Sequence, residues 1–465
     1  MQRRVIVPLI VACALLMQNL DSTSLNTALP AIARALAVSP LRLHLAITSY
    51  MLAQAAFLPI SGWAADRFGS RLVFRVAIAT FGIASALCGV SQGFGQLIGA
   101  RILQGIGGAM MVPVGRLILV RSVPKTELVG AMALMGMPAL IGPISGPVLG
   151  GFITTYFSWR WIFWINVPIG VLGIVLVTLF IEDSRDVQVR QFDFTGFALS
   201  SFGLAGTLFG LDAATSADRA SPIGLVCLVV GLACCVLYVV HARRNPHPIL
   251  DLALFKLQTF RASVTGGSLF RIGMGALPFL LPLLLQEGFG YSPLQSGLVT
   301  FVAAAGSLGM RTIARRVLKL FGFRQVLIWN SLVSCIFIIA CAAFRPDTSR
   351  VLMMIVIFLG GVFRSLEFTS ANAIGFADID APQLSHATTF SQMAQRLSLS
   401  FGVGISAFIL HQASGPGPRI PIHAFSLAFV IVGVLSAFSA LPFAQLDRDA
   451  GAAMAGRLPK AHGRV

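Results

Sequence analysis

A carboxylate among amides and hydroxyls, set inside an apolar run, is a group that can bind and release a proton. The stretch QNLDSTSLNTALP (18–30), which follows VIVPLIVACALLM, contains one at Asp21. On a helical wheel Gln18, Asp21, Ser22, Leu25 and Asn26 fall within one arc of roughly 140°, and Leu16, Leu20 and Ala28 take the opposite side. Asp21 therefore belongs to a coherent polar face. A central acidic residue in a bilayer costs about 2.5–3.5 kcal/mol on insertion scales, so such residues mark proton or substrate paths. The bland alternative is an aspartate hydrogen-bonded into a helix contact.

Other polar groups lie in comparable surroundings. In ARILQGIGGAMMVPVGRL (100–117) Arg101 and Gln104 are one helical turn apart, with Gly105, Gly107 and Gly108 on the following turn. They read as a polar face lining a path, against the plainer reading of an arginine snorkelling to an interface. Arg271, Arg364 and Arg396 also fall at membrane depth. Glu367 is one turn from Arg364, so an internal ion pair is expected there. Arg271 and Arg396 have no local partner and would give the C-terminal half a positive field, which suits an acidic substrate. GWAADRFGSR (62–71) offers Gly62 for close helix approach, Gly69 for a tight turn, and Asp66, Arg67 and Arg71 as clustered charges. This pattern suits a gating loop better than a merely basic turn. MPALIGPISGPVLGG (137–151) sets Gly142, Gly146 and Gly150 four apart, with Pro143 and Pro147 between them. Small residues at that spacing let helices approach closely, and proline removes backbone donors.

The elements that must hold these groups are membrane helices. The chain has 465 residues, 56% hydrophobic and 11% charged, with mean hydropathy +0.84. A soluble chain carries about 25% charged residues. The net charge of +17 is scattered through short gaps between apolar runs, which argues against a nucleic-acid partner. All seven cysteines lie within apolar runs and show no metal spacing; no cofactor or metal is expected. The N-terminal run reads as an uncleaved first span.

At about 20 residues per crossing, fourteen candidate spans lie near 5–29, 44–64, 74–92, 96–118, 128–153, 161–181, 194–212, 222–241, 262–286, 294–314, 325–344, 351–372, 385–411 and 424–444. Cytoplasmic termini place most of the 34 lysines and arginines on inward segments. Residues 241–261 suit an amphipathic interfacial helix. RFGSRLVF (67–74) is matched weakly by LFGFRQVL (320–327), which suggests two related halves with two spans inserted between them. The division expected is a six-helix bundle over 1–190, inserted spans and linker over 191–261, a second six-helix bundle over 262–446, and a tail over 447–465.

LDSTSLNTALP, GWAADRFGSR, RILQGIGGAMMVPVGR, GPISGPVLGG and WRWIFWINVPIG (159–170), in this order, resemble the major facilitator superfamily. The likeness is greatest to its fourteen-span drug:proton antiporters, particularly the MdtD-like multidrug efflux proteins, and runs from about Arg4 to Ala444. It implies an all-helical fold of two six-helix bundles plus two spans, proton-driven export of a small molecule by alternating access, and a bacterial inner-membrane location. The seven histidines are scattered and make no cluster at one membrane face, so no enzymatic activity is expected, and the protein is expected to be a monomer. Asp21 falls in the family's first-helix motif, Gly62 to Arg71 in its gating loop, Arg101 in its fourth-helix motif, and Gly142 to Gly150 in its antiporter motif. Two departures stand out. Aligned on the FG pair, the second gating loop has Arg315 and Lys319 where the first has Gly62 and Asp66. At the inner end of the fourth span Arg121 stands where many relatives carry an acidic residue. Uptake in place of export, and an organic anion in place of a drug, remain the rival readings.

Overall fold

The computed structural model describes residues 3–122, 135, 138–182, 192–215, 222–245, 248–380, 383–414 and 420–455. Every regular element among them is helical. Backbone amides and carbonyls have no water to bond in hydrocarbon, so an apolar chain satisfies them within each segment. The helices are α1 (Arg3–Ala35), α2 (His44–Phe57), α3 (Ile60–Phe68), α4 (Ser70–Val90), α5 (Phe94–Ser122), α6 (Pro138–Tyr156) and α7 (Asn166–Phe180), the last led in by a short turn at Trp161–Trp164. They continue with α8 (Phe194–Thr215), α9 (Pro222–Arg244), α10 (Gln258–Leu283), α11 (Pro293–Thr300), α12 (Val302–Phe321), α13 (Phe323–Ala340), α14 (Arg350–Ile374), α15 (Leu384–Ser414), α16 (Ile422–Ala437) and α17 (Ala440–Ala444).

Ten helices among the described residues are long and apolar enough to cross a membrane, or twelve if each of two bent pairs is one crossing. One bent pair is α2 with α3, at 56°; the other is Pro293–Met310 with Ile313–Phe321, at 60°, so its break falls inside α12. The spans expected near 44–64 and 294–314 are therefore broken helices. The first ten residues of the span expected near 128–153 lie outside the described residues, except Met135.

The chain divides into two compact units, Met1–Ile249 with Leu285–Phe301, and Leu250–Leu284 with Val302–Val465. In the first, Met17, Phe74, Phe81, Met111 and Val177 are among the buried residues of one core. In the second, Leu327, Ile374 and Phe443 belong to another. The weak sequence repeat has a structural counterpart. Gly69 separates α3 from α4 at φ 93°, and Gly322 separates α12 from α13 at φ 79°. Both occupy the left-handed region that favours glycine. The FG pair thus marks the same one-residue helix break in each unit.

Two expectations need correction. Residues 241–261 do not form one interfacial helix: α9 runs on to Arg244, and a short 3-10 turn follows at Leu252–Lys256. Pro246 and Pro248 deny the intervening segment two backbone donors, and Asp251 caps the turn by accepting from the Ala253 amide at 2.8 Å. The stretch Gly62 to Phe68 is helical, so the charged motif is the last turns of α3, the Gly69 break and the start of α4.

Helices α8 and α9 pack backbone to backbone. A Cβ on Gly210 would meet the Leu228 amide nitrogen at 2.2 Å, and one on Gly231 would meet the Thr207 amide nitrogen at 2.2 Å. Ser201 Oγ donates to the Ala56 carbonyl at 3.1 Å, and Phe197 meets Phe57 edge-on, which fixes α8 against α2.

Candidate functional site

Asp21 is buried on α1 at 1% exposure, and three donors converge on it. Arg101 Nη1 donates to Oδ2 at 2.6 Å, Gln104 Nε2 to Oδ1 at 2.8 Å, and Asn166 Nδ2 to Oδ1 at 3.2 Å. Arg101 is equally buried. Its Nε donates to the Ala46 carbonyl at 2.9 Å, its Nη1 also to Gln104 Oε1 at 2.6 Å, and its guanidinium lies 4.2 Å from the Tyr50 ring centroid. Asn166 donates onward to Ser85 Oγ at 3.0 Å. Gln54 donates to the Tyr50 hydroxyl at 2.8 Å. Five helices, α1, α2, α4, α5 and α7, thus contribute to one buried polar cluster.

Local sequence explains its tightness. A Cβ on Gly105 would lie 2.5 Å from the Tyr50 carbonyl oxygen, and one on Gly107 would lie 2.7 Å from the Phe81 amide nitrogen. The glycines behind Arg101 therefore let α5 approach α2 and α4 at backbone distance. A buried ion pair survives desolvation only when geometry is good and the remaining polar atoms are bonded. Here both carboxylate oxygens accept. Asn166 Oδ1 and Gln54 Oε1 are buried acceptors without a partner, and they can receive a donor from a ligand.

Of the residues singled out in sequence, Asp21, Arg101 and Gln104 come together in this cluster. Gln18 is buried and donates to the Gly108 carbonyl at 3.3 Å. Asn26 is half-buried and bonds back to the Ser22 carbonyl at 3.2 Å, within α1. Asp21 is not a lone charge, and Arg101 does not snorkel. Asn166 lies in the quoted stretch WRWIFWINVPIG, yet a single asparagine in an apolar run carries no periodic signal. Tyr50, Gln54 and Ser85 were not singled out either.

At the α3–α4 break, Arg121 Nη2 donates to Asp66 Oδ1 at 3.0 Å, with both side chains partly exposed. The arginine that stands in place of an acidic residue thus pairs with the aspartate of the α3 end. Arg71 donates to the Thr178 carbonyl of α7, and Arg67 is exposed. Gly62 is exposed, and a Cβ there would meet nothing within 4 Å. The close approach expected at Gly62 is therefore absent, because that face of α3 is open.

The glycine seam of α6 faces α1. A Cβ on Gly142 would meet Asn19 Cβ at 2.5 Å, one on Gly146 would meet Thr23 Oγ1 at 1.8 Å, and one on Gly150 would meet the Ser24 carbonyl oxygen at 2.6 Å. Thr23 donates to the Gly142 carbonyl at 3.2 Å and Ser24 to the Gly146 carbonyl at 3.0 Å. Pro143 and Pro147 lie within the unbroken α6. On the opposite side, a Cβ on Gly297 of α11 would meet the Pro147 carbonyl oxygen at 2.2 Å. The helix bearing Asp21 is thus packed closely against α6 from Asn19 to Thr27.

In the second unit Arg271 of α10 is 2% exposed. It donates to Asn372 Oδ1 at 2.7 Å and lies 5.7 Å from the Phe368 ring centroid, while its Nε has no acceptor. Arg396 is half-buried on α15. The ion pair expected between Arg364 and Glu367 does not form; Glu367 accepts from Asn330 instead. Arg364 turns toward Gly360, where the missing Cβ leaves room for its guanidinium. Among the described residues no group of three or more histidine, cysteine, aspartate or glutamate side chains could hold a metal.

The chain thus combines many apolar helices with buried charges joined across them. The Major Facilitator Superfamily matches residues 11–194 and 263–456, and the chain belongs to that superfamily. It is a multi-pass membrane transporter and not an enzyme. A chain from Cronobacter sakazakii named multidrug resistance protein MdtD is 38% identical over 447 residues, covering 95% of this chain and 94% of that one. The protein of the same name from Pectobacterium carotovorum is 38% identical over 447 residues, covering 95% of each. The crystal structure of a D-xylose-proton symporter superposes with TM-score 0.69 at 14% identity, covering 96% of this chain and 98% of that one, and supports the fold.

Proposed function

We propose that this chain is a proton-coupled efflux transporter, a drug:proton antiporter that carries small molecules by alternating access. The observation that carries the reading is the Asp21–Arg101–Gln104–Asn166 cluster, a buried ion pair with two further amide donors on the helices of a superfamily transporter. Near full-length relatives named for multidrug resistance support export as its direction. A proton arriving at Asp21 neutralises the carboxylate, loosens Arg101 and frees α1 to shift along the α6 seam. Substrate and proton act by binding the two access states differently, which is what couples their movements. The Asp66–Arg121 latch closes the path at the end of α5 in one state and opens in the other.

We place the protein in a bacterial inner membrane as a monomer, with protons, a small-molecule substrate and lipid as its partners, and without cofactor or nucleic acid. Adding α6 and α8 to the twelve apolar crossings gives fourteen spans, an even number that puts both termini in the cytoplasm under the basic-residue bias. The two glycine-bonded helices α8 and α9 are the inserted pair between bundles over 1–190 and 262–446, and 447–465 is the tail.

An organic-anion or carboxylate exporter is the second reading. It is favoured by Arg271, a buried guanidinium with a free Nε and no carboxylate in salt-bridge reach among the described residues. Ethidium accumulation in cells expressing the chain tests the first reading: lower accumulation, restored by a protonophore, is expected. Accumulation equal to that of empty-vector cells, with carboxylate dyes exported instead, would move the assignment to the second.

A further inference from the structure

Glu367 on α14 is fully buried. Asn330 of α13 donates to its Oε2 at 2.9 Å, and its Oε1 has no hydrogen-bond partner. Asn330 Nδ2 also donates to the Phe363 carbonyl at 2.8 Å, and Asn330 Oδ1 is a second buried acceptor without a donor. Two acceptors in one buried pair therefore lack hydrogens.

Among the described residues, the groups around Glu367 do not supply one. Arg364 is one turn away on α14 and forms no ion pair with it. On α13 the titratable neighbour is Cys335, a buried thiol. Arg271 of α10 reaches α14 at Phe368 and Asn372. The described side chains of the α12 cations Arg315, Arg316 and Lys319 are exposed. At the turn after α13, Cys341 is buried and lies in the field of Arg364. This contrasts with Asp21, which holds a guanidinium and two amide donors. An ionised carboxylate with a single neutral donor is the costlier form in such a place. A proton removes that charge and turns one orphan acceptor into a donor.

We propose that Glu367 is a second proton-exchanging carboxyl of the transport cycle, protonated in the conformation seen here. The proposal rests on the proton-coupled reading given above. The proton is taken from water on one side of the membrane, is carried on the Glu367 carboxyl, and leaves to water on the other side when the α13–α14 contact opens. No other bond is made or broken. Asp21, charged and paired in this conformation, and Glu367, neutral, are then complementary stations in the two units.

Infrared spectra of the full-length protein in ether-linked lipid, which lacks ester carbonyls, test this directly. At pH 7 the wild type is expected to show the carbonyl stretch of a protonated carboxylic acid, shifted in deuterium oxide and fading as pH rises. Glu367→Gln, nearly isosteric, is expected to lose that band, and Asp21→Asn to keep it. A band that persists in Glu367→Gln, or one that ignores pH, overturns the proposal. Should Glu367→Gln fail to insert, Asn330→Leu removes the carboxyl's one donor and is expected to shift the band; an unshifted band there overturns it equally. Absence of pH-driven transport of both ethidium and carboxylate dyes by wild-type proteoliposomes would instead remove the coupled reading, and the spectra would still decide whether Glu367 holds a proton.

Discussion

At Asp21, three donors, one of them the buried cation Arg101, make removal of either charge costly. Asp21→Asn leaves Arg101 without a counter-ion at 1% exposure, and breaking one side of a buried pair costs about 3–5 kcal/mol. Thermal unfolding in detergent is expected to show Asp21→Asn and Arg101→Gln each destabilised on that scale, with the double variant recovering much of the loss. Additive losses in the double variant would mean that the two charges do not support each other. Arg271 offers a test of charge preference. At about 6 Å and an effective dielectric near 20, a unit charge is worth roughly 3 kcal/mol to an anion; a third of that is about fivefold in affinity. Arg271→Gln is expected to weaken transport of a carboxylate probe about fivefold more than that of ethidium, if the anion reading holds; an equal loss favours the drug reading. The polar arc of α1 was legible in sequence because helical periodicity puts Gln18, Asp21 and Asn26 on one side. The partners were not, since Arg101 and Asn166 lie 80 and 145 residues along the chain from Asp21. The Arg364–Glu367 spacing suggested a pair that does not form, because the bare Gly360 and the Asn330 amide draw the two side chains to different neighbours.

The helix elements translate these residues into possible motion. Gly146 has no room for even a methyl group against Thr23. Gly146→Leu is therefore expected to force α6 from α1, to cost roughly 1–3 kcal/mol through overpacking, and to impair transport more than expression. Normal turnover in membrane vesicles from that variant would contradict a role for the seam. The Asp66–Arg121 contact is partly exposed, so its contribution to stability is small and its role is read in the access state. Asp66→Arg is expected to slow turnover and change which face of α5 is labelled by a soluble maleimide on introduced cysteines. The exchange Asp66→Arg with Arg121→Asp is expected to restore both. Unchanged labelling with normal turnover in Asp66→Arg would leave the motif a turn and nothing more. The Gly142–Gly146–Gly150 spacing and the FG breaks were readable because small residues and positive φ leave marks in sequence. The bends between α2 and α3 and within α12 were not, since hydropathy alone records an apolar run and not its direction.

At the scale of the whole chain, composition indicated a lipid-solvated protein, apolar runs of about 20 residues indicated helices, and five motifs in order indicated the superfamily that the comparison establishes. The interfacial helix after α9 does not form although apolar residues recur at helical spacing beside basic ones, because Pro246 and Pro248 interrupt the segment. Substrate charge was not legible either, since it depends on which buried cations remain unpaired once the chain has folded, and pairing at long range has no local signature. The central claim, proton-driven export, is tested most directly with purified protein in liposomes carrying an imposed pH gradient. Ethidium and a panel of carboxylate dyes are offered, and proton and dye movements are recorded together. The account predicts that dye moves against its gradient as protons move the opposite way, that collapsing the pH gradient stops it, and that Asp21→Asn abolishes the coupling even where the protein remains inserted. Dye movement that follows its own gradient, indifferent to the imposed pH difference and to Asp21, would contradict it.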